Sequence, residues 1–364
     1  TVEVAGVEVT THYAGHVLGA VMFELRYKGA GVVYTGDFNH AADRHLSGCS
    51  VTPAARPNLL MTESTYASEV RDWKKDREQQ FVQQLARTFE RGGKVLVPVF
   101  ALGRAQEFFV LVEDVWERTG WTVPVYFASG LAEKANLFFQ AFPDWTNHNV
   151  QTQLKHHGRS VFDLKHIARF EKFYLQRDGP CLVIATPGML NGGASLDVFK
   201  QLCGDARNTV LIPGYCVKGT FGHEVLAGAK SLLIDGRAHP VHIEVSRMAF
   251  SAHADSKGIV ALIESLNPET VAFVHGEKAR MERLAALLTA GGRSCLCPPN
   301  HVESVVPCRA LSPEVCTAQQ PLPDPPFLAD LDEQLRVLAQ EFAGEGCELV
   351  ETCEDCYASL CAEG

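Results

Sequence analysis

The chain has 364 residues, 46% of them hydrophobic, 21% charged, and a formal net charge of −10. That composition is ordinary for a globular protein, and the length favours two domains. No apolar run approaches the roughly 20 residues needed to span a bilayer, so a membrane-embedded class is set aside.

The charge is unevenly distributed. Residues 312–364 hold 12 acids and one base, Arg336, while the preceding 311 residues hold 31 acids and 32 bases. The near-neutral body argues against sequence-blind nucleic-acid binding driven by total charge, though a local basic groove remains compatible with it. Twelve cysteines without a basic, apolar leader point to reduced thiols rather than a disulfide framework. The chain opens at Thr1 amid alternating apolar and polar residues, without an initiator Met, and reads as a fragment beginning in mid-strand.

In chain order, three short strands are predicted at 8–13, 21–27 and 31–37, tightly connected as an antiparallel meander. Another apolar strand closes on Glu63. A strand over 94–100 then feeds a helix with apolar residues at Leu102, Ala105, Phe108, Leu111 and Val115. Apolar strands recur at 181–187 and 209–214, each running into glycine turns; Cys181, Cys203 and Cys216 lie in or beside such runs as buried small hydrophobes. Strand-to-helix units follow at 241–250 into 257–266, and at 270–275 into 278–288. This alternation predicts an α/β architecture after a β-rich start. Beyond Pro313, Pro321, Pro323, Pro325 and Pro326 mark a linker, and 327–342 carries one apolar helical face suited to an interaction or a packed appendage. Cys353-x-x-Cys356, flanked by Cys347 and Cys361, is a weak zinc-site pattern.

Three residues of metal-ligand type sit at turns or strand ends: His16, Asp37 and His275. A histidine alone in a strand is more often a satisfied core residue than a ligand. Small neighbours (Ala14, Gly15, Gly19, Ala20) give the His16 ring room, and a carboxylate closing an apolar strand needs a partner, whether a metal or a turn it caps. Glu63 and His253 add a carboxylate and an imidazole able to deliver a proton, which phosphodiester hydrolysis requires besides metals. Asp255 or Ser256 is positioned to cap the helix following His253.

Six motifs occur in the order seen in the metallo-β-lactamase/β-CASP nucleases, which the chain resembles over about residues 1–311. They are Thr11-His12-Tyr13-Ala14-Gly15-His16, Tyr34-Thr35-Gly36-Asp37, Glu63-Ser64-Thr65-Tyr66, Phe100-Ala101-Leu102-Gly103-Arg104-Ala105-Gln106-Glu107, Ser251-Ala252-His253-Ala254-Asp255 and Val274-His275-Gly276-Glu277. The segments around Phe127-Ala128-Ser129-Gly130 and Asp255-Ser256-Lys257-Gly258 narrow the match to the branch that processes RNA 3′ ends.

The resemblance implies an αββα metallo-β-lactamase sandwich, incomplete at its N-terminus, with an inserted α/β β-CASP domain. Residues 1–67 and 248–311 would form the core, 68–247 the insert, and 312–364 an acidic tail. It implies two Zn2+, with His16 on one ion, Asp37 bridging, and His275 on the second. His253 would be the general acid paired with Glu63, and Arg104 would contact an RNA phosphate, a surface salt bridge being its plainer reading. It further implies a nuclear (also cytoplasmic) RNA endonuclease, acting on small nuclear RNA or on pre-mRNA. Its partners would be an inactive β-CASP paralogue and a larger complex.

The chain departs from the family in lacking any His-x-His-x-Asp-His cluster; His156-His157 and His239-Pro240-Val241-His242 have the wrong spacing to replace it. Weak zinc binding and no RNA cleavage by the chain alone are therefore expected, and a non-catalytic scaffold is the competing class. A small-molecule metallo-β-lactamase is disfavoured by the length of the insert.

Overall fold

The computed structural model describes residues 1–53, 56–128 and 130–307. The tail helix, the proline linker and the tail cysteines anticipated above lie outside the described residues.

The chain begins with β1 (Val2–Val4), β2 (Val7–Tyr13), β3 (Val21–Tyr27) and β4 (Ala30–Tyr34), paired antiparallel in succession as the predicted meander, with β1 as an added edge. Here β4 stops at Tyr34, three residues short of the anticipated end. Gly36 then takes a positive φ of 52°, and Asp37 stands on a bend beyond the strand. Next, β5 (Leu59–Glu63) pairs parallel with β4.

The chain then leaves for a second body. It comprises α1 (Lys74–Glu90), β6 (Val95–Pro98), α2 (Arg104–Thr119), β7 (Val125–Ala128), α3 (Gly130–Ala141), α4 (His148–His157), β8 (Ile167–Arg169) and β9 (Leu182–Ala185). It continues through α5 (Gly193–Leu202), β10 (Thr209–Ile212), α6 (Phe221–Leu226), the hairpin of β11 (Ser231–Ile234) and β12 (Arg237–Pro240), and β13 (Glu244–Arg247). The return runs through α7 (Ser256–Leu266), β14 (Thr270–Val274), α8 (Lys278–Ala290) and β15 (Ser294–Leu296).

Two main sheets result. The first has the order β1-β2-β3-β4-β5-β14-β15, so the returning strands complete the sheet begun by the meander. The second, β13-β10-β6-β9-β7-β8, is parallel throughout, and its four inner strands are short, apolar and buried, as a sheet covered on both faces requires. One face packs Val95 and Val97 against Phe81 and Leu85 of α1 and Phe108, Phe109 and Val112 of α2. The other packs Leu96, Val183 and Val210 against Val198, Phe199 and Leu202 of α5, with Cys181, Cys203 and Cys216 buried in the same cluster. In the first body, Val33, Leu60, Val271 and Phe273 meet Ile259 and Ile263 of α7 and Leu284 and Leu288 of α8. The protein is thus α/β, as its sequence indicates. Among the described residues no helix is long and apolar enough to cross a membrane.

Candidate metal centre

Strand register brings the distant site residues to one sheet edge. β5 and β14 pair with Glu63 opposite Val274, so Glu63 and His275 leave adjacent strands side by side. The backbone of Thr35 bonds to Met61, continuing the β4–β5 pairing toward Asp37. Two loops close in from either side. Ala254 N donates to Phe38 O at 2.7 Å, tying the His253 loop beside Asp37. His16 Nδ1 lies 3.1 Å from the carbonyl oxygen of Ala252 in that same loop.

Asp37 is the centre of the group. Its Oδ1 is 2.5 Å from His275 Nδ1, its Oδ2 is 3.7 Å from His16 Nε2, and His253 Nδ1 lies 3.9 Å from Oδ1. Burial alone would push the Asp37 carboxyl up. The hydrogen bond from His275 and the nearby charges of His253, His275 and His16 together hold it below the ordinary carboxylate range. The same hydrogen bond raises His275, with burial opposing it. His16 is held below its ordinary value, first by burial and then by His253, which favours the neutral imidazole that a metal needs. With Nδ1 donating to a backbone carbonyl, His16 turns Nε2 toward Asp37, the second-sphere arrangement usual for ligating histidines.

Glu63 is 1% exposed and fully engaged. Its Oε1 accepts from Phe38 N at 2.7 Å; its Oε2 accepts from the Thr65 hydroxyl at 2.6 Å and lies 2.7 Å from His253 Nδ1. Thr65 also reaches the carbonyl of His275 at 3.1 Å, and the rings of His16 and His253 stand 4.6 Å apart. The structure therefore brings His16, Asp37, Glu63, His253 and His275 together. One detail differs from the sequence reading. The trio able to offer ligand atoms within 4.8 Å of one another is His16, Asp37 and His253, so His253 stands as near to Asp37 as a ligand would, besides its contact with Glu63.

Arg104 is a correction. It is only 7% exposed, and its guanidinium bonds to Asp43 inside the protein, so it is neither an open phosphate contact nor a surface salt bridge. It belongs to a buried group that sequence reasoning missed: Asp43, His45 and Glu107, with His45 Nδ1 2.8 Å from Glu107 Oε2. The local signal, Asp43-Arg44-His45, is a short polar run indistinguishable from an exposed turn.

Three family models match the chain in tandem: a metallo-beta-lactamase superfamily domain over residues 1–65, a Beta-Casp domain over 105–225, and a Zn-dependent metallo-hydrolase RNA specificity domain over 238–298. Integrator complex subunit 11 of Danio rerio is 47% identical over 295 residues, covering 80% of this chain and 49% of that protein. The Gallus gallus protein of the same name is 48% identical over 278 residues, 76% of this chain and 46% of the relative. Cleavage and polyadenylation specificity factor subunit 3-II of Arabidopsis thaliana is 43% identical over 285 residues, 78% of this chain and 46% of its own. The chain spans about half the length of the curated relatives it matches. With its site residues gathered at one sheet edge and these domains in order, the chain belongs to the metallo-β-lactamase/β-CASP family of metal-dependent hydrolases.

Proposed function

We propose that the chain is the catalytic part of a zinc-dependent RNA endonuclease processing the 3′ ends of nuclear transcripts, foremost small nuclear RNA precursors within an Integrator-like complex. The observation that carries this reading is the 2.7 Å contact between His253 Nδ1 and the buried Glu63, beside His16 and Asp37. Residues 1–67 and 248–311 are the hydrolase core, 68–247 the β-CASP insert, and the cleft between them takes the RNA strand. The protein is nuclear and pairs with a catalytically inactive β-CASP paralogue.

The donor set suits two Zn2+: imidazole and carboxylate are zinc ligands, and His16 is already oriented by Ala252. His16 would hold one ion, Asp37 would be shared between the two, and His275 would hold the second. Zinc bound there supplies the Lewis acidity that phosphodiester hydrolysis requires. The chain's own side chains do the rest. Glu63 grips the His253 ring through Nδ1 and fixes its orientation. His253 then passes the proton on Nε2 to the departing oxygen of the scissile phosphodiester.

A second reading, a non-catalytic scaffold, rests on one observation: the sequence contains no His-x-His-x-Asp-His cluster. The residues above supply part of a two-metal ligand set, so the chain alone is expected to hold zinc weakly and leave RNA intact. Emission spectrometry of the purified, dialysed chain should find less than one zinc per molecule; two tightly held ions would refute that expectation. Cleavage of a single-stranded RNA precursor by the chain in its assembled complex supports the endonuclease. Absence of cleavage there, with zinc in excess, supports the scaffold. Cleavage restricted to polyadenylation substrates would instead move the protein to the pre-mRNA machinery.

A further inference from the structure

The parallel sheet ends at the site with exposed aromatic side chains. Phe100, just past β6, is 48% exposed, and Tyr215, just past β10, is 42% exposed. β6 and β10 are neighbours in the sheet, so the two rings stand on adjacent strand ends, where open α/β sheets bind their ligands. Both positions are anchored. The carbonyl of Phe100 accepts from Ala105 N at 3.2 Å, and a Cβ built on Gly188 would lie 3.2 Å from the Phe100 ring, so the ring rests against a backbone with no side chain in the way. Tyr215 N donates to the hydroxyl of Tyr66 at 3.2 Å, and the Tyr66 ring stands 6.1 Å from that of His253.

The same edge abuts the segment that carries His16. Gly103, at φ 81°, passes so close to Val17 that a Cβ there would lie 2.9 Å from Val17 Cγ1 and 3.8 Å from the carbonyl oxygen of His16. One loop thus carries Phe100 at one end and abuts the His16 segment at the other. Lys218, exposed in the Tyr215 loop, adds a cation at the same edge.

Single exposed apolar residues are commonplace. Two seated rings on adjacent strand ends, flanking a site suited to a phosphodiester, are a stacking surface. We propose that Phe100 and Tyr215 stack on unpaired nucleobases of the RNA flanking the scissile phosphate, selecting a single-stranded substrate; this rests on the endonuclease reading above. Stacking offers a π-face to every base, so it holds a strand without fixing its sequence.

Fluorescence anisotropy in EDTA, which reads binding without cleavage, tests it with a short single-stranded RNA and an abasic ribose-phosphate strand of equal length. The parent should bind the RNA more tightly than the abasic strand. Phe100→Ala and Tyr215→Ala should each weaken RNA binding about tenfold, leave the abasic strand unaffected, and be rescued by Phe100→Trp and Tyr215→Trp. The proposal is overturned if the double alanine variant binds RNA like the parent, or loses both strands equally. A parent that binds RNA no better than the abasic strand overturns the stacking alone. A parent that binds neither strand overturns the endonuclease reading with it.

Discussion

His253 and Glu63 lie 190 residues apart in sequence and 2.7 Å apart in space. If His253 delivers the proton, His253→Ala should lower the cleavage rate of the assembled enzyme by about 10²–10⁴ while leaving its zinc content unchanged. Loss of zinc together with activity would make His253 a ligand, the role its 3.9 Å approach to Asp37 also permits. Glu63→Gln is the more delicate probe. The carboxylate accepts from Phe38 N, the Thr65 hydroxyl and His253, whereas an amide has a single acceptor oxygen. The substitution should reduce kcat more than KM, because it removes the carboxylate that holds the His253 ring in place while leaving the substrate-binding surface unchanged. An unchanged kcat in a folded Glu63→Gln variant would reduce Glu63 to a structural role.

At the level of elements, the site depends on how α7 begins. Asp255 caps it: Oδ1 accepts from Gly258 N and Oδ2 from Arg71 N, both at 2.9 Å, two residues after His253. Asp255→Ala should cost about 1–2 kcal/mol, read from denaturant unfolding. Asp255→Asn, which can still satisfy one of the two donors, should cost less; equal losses would mean the cap contributes little. This cap was legible in the sequence, as were most strands, because short apolar runs bounded by Gly or Pro announce themselves. Helix α1 was not. Its buried side of Arg77, Phe81, Leu85 and Thr88 has polar residues at both ends, so no continuous apolar stripe marks it. Asp37 and His275 were recognisable as candidates because each follows an apolar run. That they meet 2.5 Å apart follows from the β4-β5-β14 strand order, which no local pattern encodes.

Across the whole molecule, the two sheets are coupled by the segment around His45, which follows the site strand β4 and plugs into the second body. His45 is fully buried, with Nδ1 2.8 Å from Glu107 Oε2; Arg44 N donates to the same oxygen at 2.9 Å, and Asp43 pairs with Arg104. Outside this core, the Arg44 guanidinium bonds to both oxygens of Glu78 on α1, at 2.7 and 2.8 Å. Partners more than 30 residues distant explain why Arg104 read as a surface cation in the sequence. Packed bodies joined by modest interfaces ordinarily shift against each other. A buried ionic plug instead ties the two bodies together at this point. Burial alone would raise the Glu107 carboxyl, but the hydrogen bond and charge of His45, with Arg104, hold it well below its ordinary value of 4.5. A depressed carboxylate contributes stability above its unfolded value and loses it as pH falls through the folded one. Glu107→Gln, which removes the carboxylate that the His45 ring and Arg44 N both bond to and that lies near the buried Arg104, should cost about 1–3 kcal/mol near neutrality. The gap in Tm between parent and variant should narrow below about pH 4.5, where the unfolded carboxylate takes up its proton. A gap that widens on acidification would mean that Glu107 is not ionised in the folded protein, and the plug would then be held by neutral hydrogen bonds alone.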